Sequence, residues 1–243
     1  MKFLLRSLIT LNLFAAGAVA VLAVDPGTGK SFQGPVGLQL YSLRAQFAAN
    51  GAAKTLDAVK GYGIRYAELA GTYNLKPEQL LKLLSDRGIK AVSGHFPYKR
   101  FKENPEAVAA EAKALGLEFA GCAWADHKAP LDEKQAREIA AVFNRAGAVL
   151  AQHGLRFFYH NHGFEFYPLG NETLMDLIIR ETDPKLVSFQ MDVLWTVFPG
   201  QDPAKLLNKY PGRWALMHLK DLKKGVPTGS LVGKTDVTND VAL

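Results

Sequence analysis

Histidines and carboxylates recur in this sequence at the ends of short apolar runs, where a strand would deliver them to a common rim. The fifth such run ends in Tyr159-His160-Asn161-His162-Gly163-Phe164-Glu165-Phe166. The sixth ends in Phe189-Gln190-Met191-Asp192-Val193-Leu194-Trp195, and the seventh reads Leu216-Met217-His218-Leu219-Lys220-Asp221. Earlier runs carry Glu68, His95 and the pair Asp126-His127. Glu165, Asp192 and His218 together make a mixed oxygen and nitrogen donor set suited to Mn²⁺, Co²⁺, Zn²⁺ or Mg²⁺. A single His at a strand end is usually structural, and an Asp after a strand commonly caps the next helix. Recurrence at successive strand ends, beside a His-Asn-His, is what points to a site. Glu165 lies 27 residues before Asp192 (192 − 165), and Asp192 lies 26 before His218 (218 − 192). Each gap is close to the ~31 residues of one strand–helix unit in a closed eight-unit barrel.

The elements that must position these residues alternate along the chain. Strand-like runs fall at 36–41, 66–70, 91–95, 119–124, 156–161, 187–192 and 214–219, with helical patterns at 54–62, 77–87, 105–115, 132–152, 171–181 and 202–209. Pro77 and Pro105 suit first helical turns, Asp132 and Asp202 suit N-caps, and Gly88, Gly116 and Gly154 suit C-terminal caps. Repeated strand, helix, strand predicts a parallel sheet covered by helices. The strands are apolar on both faces, as burial of both requires. The first run, Gly37-Leu38-Gln39-Leu40-Tyr41, lacks the glycine pattern of a dinucleotide-binding sheet, so a TIM (β/α)8-type barrel is the expected fold. Only seven units are counted before the sequence reaches Leu243, and an eighth strand–helix unit is expected to be missing.

Four segments resemble the sugar phosphate isomerase/epimerase family of xylose isomerase-like TIM barrels. They are Gly37-Leu38-Gln39-Leu40-Tyr41-Ser42-Leu43-Arg44, the run from Tyr159 to Phe166, Met191-Asp192-Val193-Leu194-Trp195, and His218-Leu219-Lys220-Asp221. The resemblance implies one divalent metal, Mn²⁺ foremost, held by Glu165, Asp192 and His218. A fourth ligand, a Glu of the last strand, has no counterpart here. It implies proton transfer next to a carbonyl of a sugar or keto-sugar, through an enediolate, with Glu165, His160 or His162 as the group that moves the proton and Glu165 and His160 foremost. His160 and His162 stay open as alternatives, each either the real fifth-strand ligand or a substrate contact. Glu68, His95, His162, Trp195 and Lys220 are the expected substrate-binding residues, although Trp195, like Trp124, also suits core packing. The product is an isomer or epimer, or the same intermediate serves a lyase or hydratase on a keto-glycoside. A periplasmic carbohydrate-binding protein without catalysis is the reading from another class.

Composition narrows the partners. Lys2 and Arg6 precede an uncharged stretch from Ser7 to Val24, the pattern of a signal peptide over residues 1–23, which leaves one domain over 24–243. Export, in a bacterial periplasm, is the expected location, with a membrane role only if the signal stays uncleaved. Cys122 is the only cysteine, so no internal disulfide forms. The formal charge of +6 becomes +4 without Lys2 and Arg6, and the remaining basic residues are scattered, which offers no groove for nucleic acid. The expected partner is a small sugar or keto-sugar. Exposed edges on the first and seventh strands would favour a homo-oligomer.

Overall fold

The computed structural model describes residues 34–231. The expected signal segment 1–23 lies outside the described residues. Strands β1 (Leu38–Gln39), β2 (Tyr66–Leu69), β3 (Lys90–His95), β4 (Phe119–Cys122) and β5 (Arg156–His160) alternate with helices α1 (Arg44–Gly61), α2 (Pro77–Ser85), α3 (Tyr98–Glu103), α4 (Pro105–Ala114) and α5 (Glu133–Gln152). A short antiparallel hairpin, β6 (Pro168–Leu169) and β7 (Glu172–Thr173), leads into α6 (Leu174–Glu181). β8 (Val187–Asp192), α7 (Val193–Val197), α8 (Pro203–Lys209) and β9 (Trp214–His218) complete the order.

Seven strands form one sheet in the order β1-β2-β3-β4-β5-β8-β9, and every pairing in it is parallel. The sheet is curled. Glu68 on β2 and His218 on β9 are five inter-strand steps apart, about 24 Å in a flat sheet at ~4.8 Å per step. Their side chains nevertheless meet at 2.7 Å. The architecture is therefore the expected barrel wall, and no eighth strand–helix unit follows β9 among the described residues.

Local chemistry sets the element ends as expected. Asn104 and Asp132 accept from the backbone N–H groups of Ala107 and Gln135 at the starts of α4 and α5, and Asp202 caps α8. Gly116 and Gly154 take φ values of 70° and 74°, the left-handed conformation in which a glycine ends a helix without strain. The first apolar run is shorter than its pattern suggests. The Gln39 side chain accepts from the Tyr41 N–H and turns Leu40–Leu43 into a 3₁₀ helix. The two-residue hairpin and the one-turn helices α3 and α7 leave no periodic signature.

Alternation along the strands divides the side chains between two layers. Phe157, Tyr159, Phe189 and Met191 point outward to the helices; the rings of Phe143 on α5 and Tyr159 lie 4.7 Å apart. Phe158, His160, Gln190 and Asp192 point inward. Gly121 leaves the inner face of β4 open for the neighbouring Phe158: a Cβ there would stand 2.3 Å from the Phe158 ring. Gly121→Ala should therefore destabilise the protein by about 1–3 kcal/mol, the usual cost of overpacking a core. A lowered urea midpoint, recovered when Phe158→Leu is added, is the expected result. An unchanged midpoint would mean that this contact is not tight.

Candidate metal centre

The curl gathers Glu68, His95, His160, Asp192 and His218 inside the sheet, together with Gln190 and Ser93. Glu68 is buried and sits at the middle. Its Oε2 accepts from the Ser93 hydroxyl at 2.7 Å and from the Gln190 amide at 2.7 Å. Its Oε1 faces His218 Nε2 at 2.7 Å and His95 Nε2 at 3.2 Å. Gln190 Oε1 in turn lies 3.1 Å from His95 Nε2 and 3.0 Å from His160 Nδ1. Asp192 Oδ2 stands 3.8 Å from both His160 Nε2 and His218 Nδ1.

Asp192 does two jobs with two oxygens. Oδ1 caps α7 by accepting from the Trp195 N–H at 2.9 Å, while Oδ2 faces the histidines. Its backbone N–H donates to Asn161 Oδ1 at 3.0 Å, so β5 and β8 are locked in register where the site begins.

Burial works against each charge in this cluster, and partners decide the outcome. For Glu68 burial raises the pKa, but the charges and hydrogen bonds of His95, His218 and Ser93 outweigh it and hold the carboxyl at about 2. For His218 burial lowers the pKa, but hydrogen bonds and charge from Asp192 and Glu68 lift it to about 9. Burial, then the neighbouring imidazoles, push His160 well below its ordinary value, and burial likewise lowers His95. Around Glu68 the cluster thus pairs one carboxylate with one imidazolium, His218, and two neutral imidazoles near neutral pH.

The residues fit a divalent cation. His95, His160 and His218 offer nitrogens within 4.8 Å of one another. Among the groups here, His160 Nε2 and His218 Nδ1 each stand 3.8 Å from Asp192 Oδ2, whereas His95 Nε2 is taken up by Glu68 and Gln190. Two nitrogens and one carboxylate oxygen on adjacent strands β5, β8 and β9 suit Zn²⁺, Co²⁺ or Mn²⁺.

Glu165 is placed elsewhere. It follows β5 in a 3₁₀ turn, where its carboxylate accepts from the outward-facing Tyr159 hydroxyl and from the His162 N–H at 2.9 and 3.0 Å. His160 occupies the fifth-strand position in the cluster instead, because it and Tyr159 sit on opposite faces of β5. His162 lies at the rim, its ring 4.9 Å from His160, 5.2 Å from Trp124 and 5.5 Å from Trp195. Trp195 is buried in a small apolar cluster with Leu194 and Phe198, and the Lys220 ammonium stands 5.4 Å over its ring. Cys122 is buried on the helix side of β4, its thiol pushed out of the reactive range by burial. A cavity of about 250 Å³ borders His95 from behind, lined by Leu69, Gly94, Phe96 and Arg100 against α4, and is not the space in front of the cluster. Sequence reasoning missed Gln190 and Ser93; each stands two residues before a predicted site residue, on the same face by strand alternation.

No protein-family model matches the sequence. The fold is that of the xylose isomerase-like TIM barrels, without an eighth strand–helix unit among the described residues. Among solved structures, a sugar phosphate isomerase/epimerase from Parabacteroides distasonis is similar over 84% of this chain and 83% of its own, with TM-score 0.70 and 25% identity. An IOLI protein with a bound zinc atom shares the fold at TM-score 0.63 and 12% identity, over 81% of this chain and 77% of its own. An inosose dehydratase of Geobacillus thermodenitrificans is 30% identical over 176 residues, 64% of this chain and 58% of the relative. The chain is thus similar to sugar phosphate isomerase/epimerase structures over most of its length, and it spans 58% of the length of the inosose dehydratase it matches.

The placement of Glu165 has a measurable consequence. Burial raises its pKa from 4.5 to about 7, against the lowering effect of Tyr159 and the His162 N–H. A carboxyl whose pKa is raised by folding supports the native state below pH 4.5 and loses that support as pH climbs through 7. At ~1.36 kcal/mol per unit the loss is about 3 kcal/mol. Glu165→Gln should abolish this decline in urea titrations between pH 4.5 and 8, and should keep the protein's capacity for Zn²⁺. Parallel stability curves would contradict the burial argument; loss of the cation would return Glu165 to the ligand set.

Proposed function

We propose that this protein is a sugar-modifying enzyme that removes a proton next to a carbonyl, with a divalent cation held by His160, Asp192 and His218. The observation that carries this reading is the convergence of His160 Nε2 and His218 Nδ1 on Asp192 Oδ2, each at 3.8 Å, at the inner ends of three adjacent strands. Zn²⁺ and Mn²⁺ both suit the donors, and the zinc of the IOLI protein supports the former. When bound, the cation polarises a carbonyl and offsets negative charge developing on its oxygen.

The remaining groups divide the work. His162 stands at the rim beside His160 and is the imidazole that moves the proton. Glu68 stays ionised and fully occupied by His95, His218, Ser93 and Gln190, so it holds the histidines in place and leaves substrate hydroxyls to other groups. Lys220, over Trp195 at the mouth, supplies positive charge to an oxidised or keto substrate.

With one imidazole serving one face of the carbon, the proton it takes can be passed to the β-hydroxyl, which leaves as water as the double bond forms, whereas epimerisation needs a second group on the opposite face. The inosose dehydratase relative supports the same choice, so dehydration of a cyclic keto-polyol is the favoured reaction. Ketose isomerisation is the second reading, supported by the likeness to the Parabacteroides sugar phosphate isomerase/epimerase. Export, inferred from residues 1–23, would make the substrate a free sugar derivative from outside the cell.

Zn²⁺- or Mn²⁺-loaded protein incubated with inosose in D₂O, followed by NMR, tests the reaction. A dehydrated product, lost on chelation and in Asp192→Ala, is expected. A deuterated isomer would replace dehydration with the second reading. Unchanged substrate together with absent cation uptake would leave a carbohydrate-binding protein.

A further inference from the structure

The Gln190 carboxamide is 2% exposed and touches three site groups at once. Its Nε2 lies 2.7 Å from Glu68 Oε2, while its Oε1 lies 3.1 Å from His95 Nε2 and 3.0 Å from His160 Nδ1. A carboxylate only accepts hydrogen bonds, so the amide nitrogen must face Glu68. The flipped amide would set two oxygens 2.7 Å apart and present N–H groups to the ring atoms instead. With the amide in its required orientation, Oε1 can only accept, and both ring atoms that face it must carry hydrogen.

A neutral imidazole has one N–H and one lone pair. For His160 the hydrogen is on Nδ1, so the lone pair is on Nε2, the atom 3.8 Å from Asp192 Oδ2. For His95 the hydrogen is on Nε2, shared between Gln190 Oε1 and Glu68 Oε1. For His218 the Nε2 hydrogen is directed at Glu68 Oε1, which leaves Nδ1 as the atom facing Asp192.

We propose that Gln190 and Glu68 are positioning residues: a buried amide–carboxylate clamp that fixes the tautomers of His95 and His160 and the orientation of His218. The clamp thereby presents His160 Nε2 and His218 Nδ1, with Asp192 Oδ2, to a divalent cation. This inference rests on the reading of those three residues as the cation site. It adds that ligand selection is made by Gln190, a residue that touches neither cation nor substrate. Partners that orient ligating histidines typically change metal affinity 10–100-fold when removed.

The test uses the full chain labelled with ¹⁵N-histidine and freed of metal, with ring nitrogens read by long-range ¹H–¹⁵N spectra and assigned by single His→Gln variants. His160 is expected as the Nδ1–H form and His95 as the Nε2–H form. His160 found with hydrogen on Nε2 would overturn the clamp without any variant. In Gln190→Met, close in length but without the amide, the His160 tautomer preference should be lost and Zn²⁺ affinity should fall about 10–100-fold. The exchanged pair Glu68→Gln with Gln190→Glu keeps an amide facing a carboxylate and should restore the His160 tautomer. Unchanged tautomers and unchanged Zn²⁺ affinity in Gln190→Met would refute the proposal. Expected tautomers in a wild-type protein that takes up no Zn²⁺ would support the clamp and sink the cation reading, so the two failures are distinguishable.

Discussion

An ionised carboxylate in a protein interior is tolerable only when every lone pair finds a donor and a positive charge lies close by. Glu68 meets both conditions. Ser93 and Gln190 serve one oxygen, His218 and His95 the other, and His218 carries the compensating charge. These donors come from β3, β8 and β9, so satisfying one carboxylate on β2 ties the two sides of the sheet together across its interior. The curl that brings them there also brings Asp192 and His160 within reach of His218. Had the sheet been flat, Glu68 would keep only its β3 neighbours Ser93 and His95, and Gln190 and the charged His218 would lie out of its reach on β8 and β9.

Strand alternation decides what each polar residue can do. Tyr159 and His160 are neighbours in sequence but belong to different layers: one packs against Phe143 and holds Glu165, the other faces Gln190 and Asp192. Glu165 therefore titrates in surroundings set by burial, while the inward-facing Glu68 is governed by the imidazoles around it. Gly121 shows the same division in steric form, since only the absence of a side chain on the inner face of β4 leaves room for Phe158. A barrel of this kind serves several chemistries among its relatives, and what separates them is the set of groups carried at the strand ends. Here that set includes three imidazoles whose nitrogens lie within 4.8 Å of one another.

Much of this was legible in the sequence. The alternation of apolar runs with capped helical patterns gave all seven strands of the parallel sheet, because burial of both strand faces and helix-end hydrogen bonding leave local marks: Asp132, Asp202, Gly116 and Gly154 are where such marks belong. Spacing near one strand–helix unit placed Asp192 and His218 on one rim, and the motifs around them carried the resemblance to the sugar phosphate isomerase/epimerase proteins. The two-residue hairpin and the short helices α3 and α7 were too brief for any period to register.

The tertiary structure decided which of the candidate residues meet. His160, His162 and Glu165 share one short segment, and the sequence could not rank them, because the strand's last inward position depends on where pairing with β8 ends. Gln190 and Ser93 look like ordinary polar residues within apolar strands; their importance comes from Glu68, 122 and 25 residues away in the chain. Element type and order are set by interactions between residues a few positions apart, which composition and spacing record. Partners, protonation and ligand choice are set by contacts between strands that only the curl of the sheet makes neighbours.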